Sequence, residues 1–467
     1  MHTAFRDETA PPPVPNEGDR EEGNGPTMMA KLRKLFSDIN ASYWFFPAVF
    51  AIGALLLATV TIELDRAGHT GWIEDVNWLD PARPQGASNM LNVIAGSMIS
   101  VAATLFSITI AAVAFASGNY GPRLLTNFME DRGNQVSLAT FIGTFVYAIT
   151  VLRSVRMPNE SDGLSLGNEF PGFVPQLSLL IAYLLMGLSV LVLVFFLNHV
   201  PSSIRINSVL EGIGRRLLKA IKDNFDRPMK ARVYSETREG TPVTATAVGY
   251  IQVIDWNELL EVARKSGTEL QLAVRTGDFV HTGMHIGYWV EEPEEKYADQ
   301  VRACLALGDT RTPTQDFHFM IDELVEIGLR ALSPGINDPF TAISALHWIG
   351  AATAEFGWRD LSWSIGEPDD DGRRPLRPMA DDFNHYVDRG FGTMRSAVAT
   401  SPAAAAVMFD TLEGAASTVT DPVRYKRLRD EGEQLIRQAR LNLNGPNLEQ
   451  VEARYAFFEK RTRDGPK

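Results

Sequence analysis

Residues 170–204 read FPGFVPQLSLLIAYLLMGLSVLVLVFFLNHVPSSI, 35 positions without a single Asp, Glu, Lys or Arg. A helix needs about 20 apolar residues to cross the hydrocarbon core of a bilayer. This run therefore holds one span. Three more charge-free runs precede it, at 39–62, 84–122 and 133–152. The four are bounded by Asp38/Glu63, Arg83/Arg123, Arg132/Arg153 and Glu169/Arg205. Each is long enough for one crossing, and the pattern predicts spans near 42–62, 91–116, 134–152 and 176–199. One such run is compatible with a buried helix of a soluble domain; four in succession, joined by short loops, are not.

The rest of the chain has a different character. Residues 39–204 carry only 16 of the 101 charged side chains. The expected fold class is an α-helical membrane domain of four transmembrane helices, followed by a mixed cytosolic region. That region is read as a small barrel-sandwich-like β module plus a mainly α-helical domain. The expected boundaries are 1–38 (a disordered acidic, Pro-rich tail and a basic pre-membrane segment), 39–204 (the spans), 205–238 (an amphipathic connector), 239–291 (the β module) and 292–467 (the helical domain). The first apolar run lies too far along and is too long for a secretory signal.

Lys and Arg in short loops set orientation. Lys31, Arg33 and Lys34 precede the first span, and Arg205, Arg215, Arg216, Lys219 and Lys222 follow the fourth. Both termini are expected in the cytoplasm of a bacterial cell, with the chain in the inner membrane. The segment 64–90 is mainly acidic and is expected outside, where Trp72 and Trp78, like Trp44, suit the membrane interface. After the second span, Leu124, Leu125, Phe128 and Met129 make a short apolar face expected on the inner surface.

Composition excludes several functions. A formal charge of −13 disfavours nonspecific binding of nucleic acid, which needs a basic face, and no nucleic-acid partner is expected. The lone Cys304 cannot form an internal disulfide or a thiolate zinc site. His281 and His285 fall in a strand-like stretch, about 13 Å apart, too far to share a metal. No cofactor, metal or catalytic residue is expected. No ionisable residue falls in the core of a span, which argues against a proton-coupled pump. The expected partners are the lipid bilayer and further copies of the chain, with the ligand, ion or small molecule, left open.

Two spans carry hydroxyl stripes. Ser97, Ser100, Thr104 and Ser107 are spaced 3, 4, 3, and so are Ser137, Thr140, Thr144 and Tyr147. Each set shares one helix face. Such faces serve either close helix packing or a polar lining for water or ions. After the spans, Ile206, Leu210, Ile213, Leu217 and Ile221 define an amphipathic helix. Residues 243–291 alternate as strands around a short helix at 256–265, and from 296 onward the period is helical. His318, Asp322 and Glu326, at i, i+4 and i+8, read as a solvated face, with Glu326–Arg330 an ordinary i,i+4 pair. A charged linker at 366–382 precedes four predicted helices near 383–398, 402–417, 422–443 and 447–461.

The densest local signal is RALSPGINDPFTA at 330–342. Ser-Pro-Gly ends one helix, Asp338 suits an N-cap and Pro339 the first position of the next. The segment is either a well-capped corner or a ligand loop. In the second reading Arg330, Ser333, Gly335, Asn337 and Asp338 hold an anion or polar headgroup at a helix start.

The segments SGNYGPRLLTNFMEDRGNQ (117–135), GYIQVID (249–255), RTGDFVHTG (275–283) and RALSPGINDPFTA appear together and in this order. The chain resembles a bacterial family of predicted integral membrane proteins of unknown function over roughly residues 36–460. The resemblance implies a four-span N-terminal half and a cytoplasmic half, and no activity. The functional expectation is an oligomeric transport- or channel-like protein with a cytosolic regulatory domain, or alternatively a membrane-anchored sensor or scaffold.

Overall fold

The computed structural model describes residues 44–68, 83–121, 131–157, 172–225, 228, 240–313, 315–361, 374–379 and 383–466. The predicted tail at 1–38, Trp72, Trp78, the apolar face at 124–129 and most of the 366–382 linker lie outside them.

Four helices are long and apolar enough to cross a membrane: α1 Phe45–Arg66, α2 Pro84–Tyr120, α3 Arg132–Leu152 and α4 Gln176–Ser203. Helix α3 buries 61% of its apolar window, against 22% for α1, 28% for α2 and 22% for α4. It is the central helix, and the others present most of their apolar side chains outward, as lipid-facing helices do. Their shared core includes Ala58, Leu91, Ile94, Phe141, Tyr147 and Ala182. Small residues at these contacts bring the backbones close: Gly143 of α3 sits against Phe50 of α1, where an added Cβ would lie 3.4 Å from the Phe50 carbonyl oxygen.

After α4 the chain bends at Ile204–Arg205 and re-enters a helix, α5 Ile206–Asn224. Its apolar stripe (Leu210, Ile213, Leu217, Ile221) is fully buried, and the basic residues lie off it.

The chain forms two compact units. One holds two small sheets. Strands β1 Thr241–Thr244, β2 Gly249–Ile254, β3 Leu270–Leu272, β4 Phe279–Val280 and β5 His285–Trp289 are joined by helix α6 Trp256–Ser266. Helix α7 Lys296–Ala303 and strand β6 Leu305–Gly308 follow, and β7 Leu376–Arg377 is supplied from far along the chain. The strand orders are β1-β5-β3-β7 and β4-β2-β6. Trp289, Val243, Ile251, Leu259 and Leu270 form its core. Asp255 caps α6 and Gly267, at φ +72, ends it. Strand β6 falls where the sequence pattern reads as helix; four residues are too few to show a period. Strand β7 lies inside the predicted linker and pairs in parallel with β3, Leu270 opposite Leu376.

The other unit contains the membrane helices, α5 and the remaining helices. These are α8 Phe317–Ala331, α9 Pro339–Trp358, α10 Phe383–Val387, α11 Thr393–Val398, α12 Pro402–Ala416, α13 Pro422–Asn442 and α14 Gly445–Thr462. A π turn, Asp388–Gly392, joins α10 to α11. Three of these helices begin with one device, a capping side chain followed by Pro: Asp338-Pro339, Ser401-Pro402 and Asp421-Pro422. The cap satisfies a free N–H and the Pro occupies a position that needs none.

Candidate functional site

The two hydroxyl stripes have different surroundings. Ser137, Thr140, Thr144 and Tyr147 are all buried inside the bundle. Ser137 and Thr140 donate to carbonyls of their own helix, Gly133 at 2.6 Å and Val136 at 2.8 Å. Thr144 shares a hydrogen bond with Ser189 of α4 at 3.0 Å. The Tyr147 hydroxyl lies 3.0 Å from Thr61 Oγ1 of α1 and donates to the Ser178 carbonyl of α4 at 3.2 Å. This stripe ties α3 to α1 and α4.

Ser97, Ser100, Thr104 and Ser107 lie instead on the exposed side of α2. At about 100° per residue they fall roughly opposite the buried face of Leu91, Ile94, Met98, Ala102 and Leu105. Asn92, Gly96 and Ala103 extend the same side and are exposed as well. A Cβ added at Gly96 would meet nothing within 4 Å. Ser100, Thr104 and Ser107 each donate to the carbonyl four residues back, at 2.7, 3.0 and 2.9 Å. Their donors are thus satisfied within the helix. The two stripes do not meet within one copy of the chain.

Two carboxylates that the sequence pattern leaves among loop charges tie the spans at opposite ends. Asp65, at the end of α1, accepts from Leu177 N and Ser178 N at 3.0 Å each and from Ser178 Oγ at 2.7 Å. It thereby caps the first turn of α4 from another helix. Asp131 caps α3 through Gly133 N at 2.7 Å and Asn134 N at 3.2 Å, and His199 Nε2 of α4 lies 2.9 Å from the same carboxylate. The His199 ring stacks on Phe195. An Asp just before a glycine-containing helix start is an N-cap signal; that Asp65 serves a helix over a hundred residues away has no sequence signature.

The end of α2 meets α8. The Arg330 guanidinium donates to the Gly118 carbonyl. Gly121, at φ +119, lies against Glu326, where a Cβ would come 2.4 Å from Oε1. The stripe His318, Asp322, Glu326 is therefore not a solvated face. His318 is buried and stacked on Tyr386, and Asp322 takes both bonds of the Arg389 fork, at 2.6 and 2.7 Å. Polar spacing on a helix does not reveal that a partner brings its own polar groups.

The corner at 331–338 is built from its own backbone. Asn337 N donates to Ser333 O at 2.9 Å, Asp338 N to Ala331 O at 2.7 Å, and Ser333 Oγ to Arg330 O at 2.6 Å. Asn337 adopts φ +50, a conformation that Asn tolerates. Asp338 caps α9 through Phe340 N at 3.1 Å, Thr341 N at 3.2 Å and Thr341 Oγ1 at 2.6 Å. Gly335 is exposed, with no atom within 4 Å of an added Cβ. Of the five candidate ligand residues, Arg330 turns to α2 and Asp338 to its own helix. Among the described residues no group of three or more His, Cys, Asp or Glu is placed to hold a metal.

The family described as "Predicted membrane protein (DUF2254)" matches residues 40–414. Uncharacterized proteins of Mycobacterium tuberculosis and Mycobacterium bovis are 28% identical over 431 residues, covering 88% of this chain and 79% of theirs. No solved structure matches the chain.

Proposed function

This chain belongs to the DUF2254 family of predicted membrane proteins, a membership that assigns no activity, and we propose that it acts as an oligomeric, transport- or channel-like protein of the bacterial inner membrane. One observation carries the reading: among apolar side chains such as Val93 and Phe106, the exposed side of α2 sets Asn92, Gly96, Ser97, Ser100, Ala103, Thr104 and Ser107. A helix at the rim of a bundle gains nothing from such residues against lipid. Small residues let helices of further copies approach closely, and the hydroxyls can turn from their own carbonyls toward water on an axis between copies. The region beyond the spans regulates that assembly. Its lever is the end of the same helix, where Arg330 and Glu326 engage Gly118 and Gly121.

The test uses full-length protein in proteoliposomes, with Thr104→Cys as the reporter. The native Cys304 is buried, and burial first, then the charges of Glu258 and Asp255, push its thiol up to about 12. It contributes little background. Modification of residue 104 by a small aqueous thiol reagent, with a fall in ion or solute flux, is the expected result. No modification at 97, 100, 104 or 107, together with no flux, overturns the conduit and favours a membrane-anchored sensor or scaffold. The Arg330 contact supports that second reading equally, since it couples the outer helices to the membrane without any pore.

A further inference from the structure

Helices α5, α8 and α9 lie side by side, and their contacts fix their directions. Along α9 and α5 the partners advance together: Trp348 packs on Gly214, Glu355 lies 3.8 Å from Lys222, and Phe356 packs against Phe225. The two run parallel. Along α8 the order reverses: Phe317 packs on Phe225 and Glu323 lies 3.6 Å from Arg216. The end of α8 and the start of α9 therefore point the same way as the start of α5, back toward the spans.

The distance follows from helix rise. Phe340 is eight residues before Trp348, and Ile206 eight before Gly214, so each lies about 12 Å further along its helix toward the end of α4, at 1.5 Å per residue. Phe340 is thus level with Ile206, just past the last turn of α4 at Ser203. Independently, Arg330 touches Gly118 near the end of α2. Both contacts place the 333–340 corner beside the ends of α2 and α4. There the corner exposes its two large apolar side chains, Ile336 at 45% and Phe340 at 75%. The spans also expose apolar side chains toward these same ends, among them Phe115 of α2 and Leu197 of α4.

We infer that the Ser333–Phe340 corner is a lipid-contacting wedge: Ile336 and Phe340 insert among the headgroups and upper acyl chains on the side where α2 and α4 end. An exposed Phe at that depth is stabilised by the interface, whereas in water it is a liability. The tight backbone bonds of the corner hold the two side chains in place without help from a ligand. The inference depends on the spans crossing a bilayer and not on a conduit.

The experiment is site-directed quenching in full-length protein reconstituted in phosphatidylcholine–phosphatidylglycerol vesicles. A bimane is placed on Ile336→Cys, Phe340→Cys or, as control, Val423→Cys. Val423 is 69% exposed, and its neighbour Arg424 donates to the carbonyls of Phe356, Gly357 and Arg359, at the far end of α9. Lipids spin-labelled high on the acyl chain should quench 336 and 340 several-fold more than 423, and aqueous iodide should do the reverse. Iodide quenching of 336 and 340 equal to that of 423 overturns the wedge. So does shielding of both from lipid and iodide alike, which means protein covers the corner. If Phe340→Cys does not fold, Ile336→Cys alone decides, since Ile336 lies in the turn outside both helices.

Discussion

The Arg330 guanidinium donates to the main-chain carbonyl of Gly118, joining the end of a membrane helix to the end of α8. The last carbonyls of a helix have no partner within it and form the negative end of its dipole. A cation supplied from another helix is the natural complement. Three residues on, Gly121 adopts φ +119 and lies against the Glu326 carboxylate. The end of α2 and the placement of α8 are thus fixed by the same few atoms.

Arg330→Ala removes a charge-assisted bond at a partly exposed site and should cost about 1–2 kcal/mol. Thermal unfolding of the full-length protein in detergent reads the change. Arg330→Lys should recover part of it. Unchanged stability in both variants would show that the contact carries no weight.

At the opposite end of the bundle, Asp65→Ala leaves Leu177 N, Ser178 N and Ser178 Oγ without their acceptor. The expected loss is about 2–3 kcal/mol, the cost of buried unsatisfied donors together with a lost cap. Asp65→Asn keeps one acceptor oxygen and should lose roughly half as much. Equal effects of the two substitutions would mean that charge, not acceptor geometry, matters there.

For Asp338, whose carboxylate caps α9, Asp338→Asn should cost a few tenths of a kcal/mol and Asp338→Ala about 1 kcal/mol. Differential scanning of purified protein distinguishes them. If the corner also binds an anion, Asn337→Ala should abolish stabilisation by inorganic phosphate while leaving the unliganded melting point in place.

Glu413 links α12 to α14 through Arg454 at 2.8 Å and Arg461 at 2.9 Å. Partial burial pushes its carboxyl up, but the two guanidinium bonds outweigh that and hold it below the ordinary value of 4.5. A depressed carboxylate stabilises the fold above the unfolded-state value and loses that contribution as pH falls through the folded value. Melting temperature should therefore fall below about pH 4.5, and Glu413→Gln should flatten that acid limb while lowering stability at neutral pH. An acid limb of unchanged steepness in Glu413→Gln would place the effect elsewhere.

Much of the architecture is legible in the chain itself. Charge-free runs of sufficient length mark all four membrane helices, because water and hydrocarbon sort charge too strongly to be overridden locally. Capping side chains followed by Pro mark helix starts at 339, 402 and 422, because the first turn must find acceptors for its own N–H groups. Strands β6 and β7 escape notice: at four and two residues they gain their identity from the strands beside them.

The hydroxyl stripes divide what sequence settles from what it leaves to tertiary structure. Ser97, Ser100, Thr104 and Ser107 have the same 3, 4, 3 spacing as Ser137, Thr140, Thr144 and Tyr147. That spacing determines that each set shares a helix face, since 3.6 residues per turn is a property of the backbone alone. It does not determine what the face meets. Helix α3 sits at the centre of the bundle and α2 at its rim, so one stripe is sealed by Ser189, Thr61 and Ser178 while the other stands open. A helix's position among its neighbours is set by the sum of all their contacts, and no single stretch of sequence carries that sum.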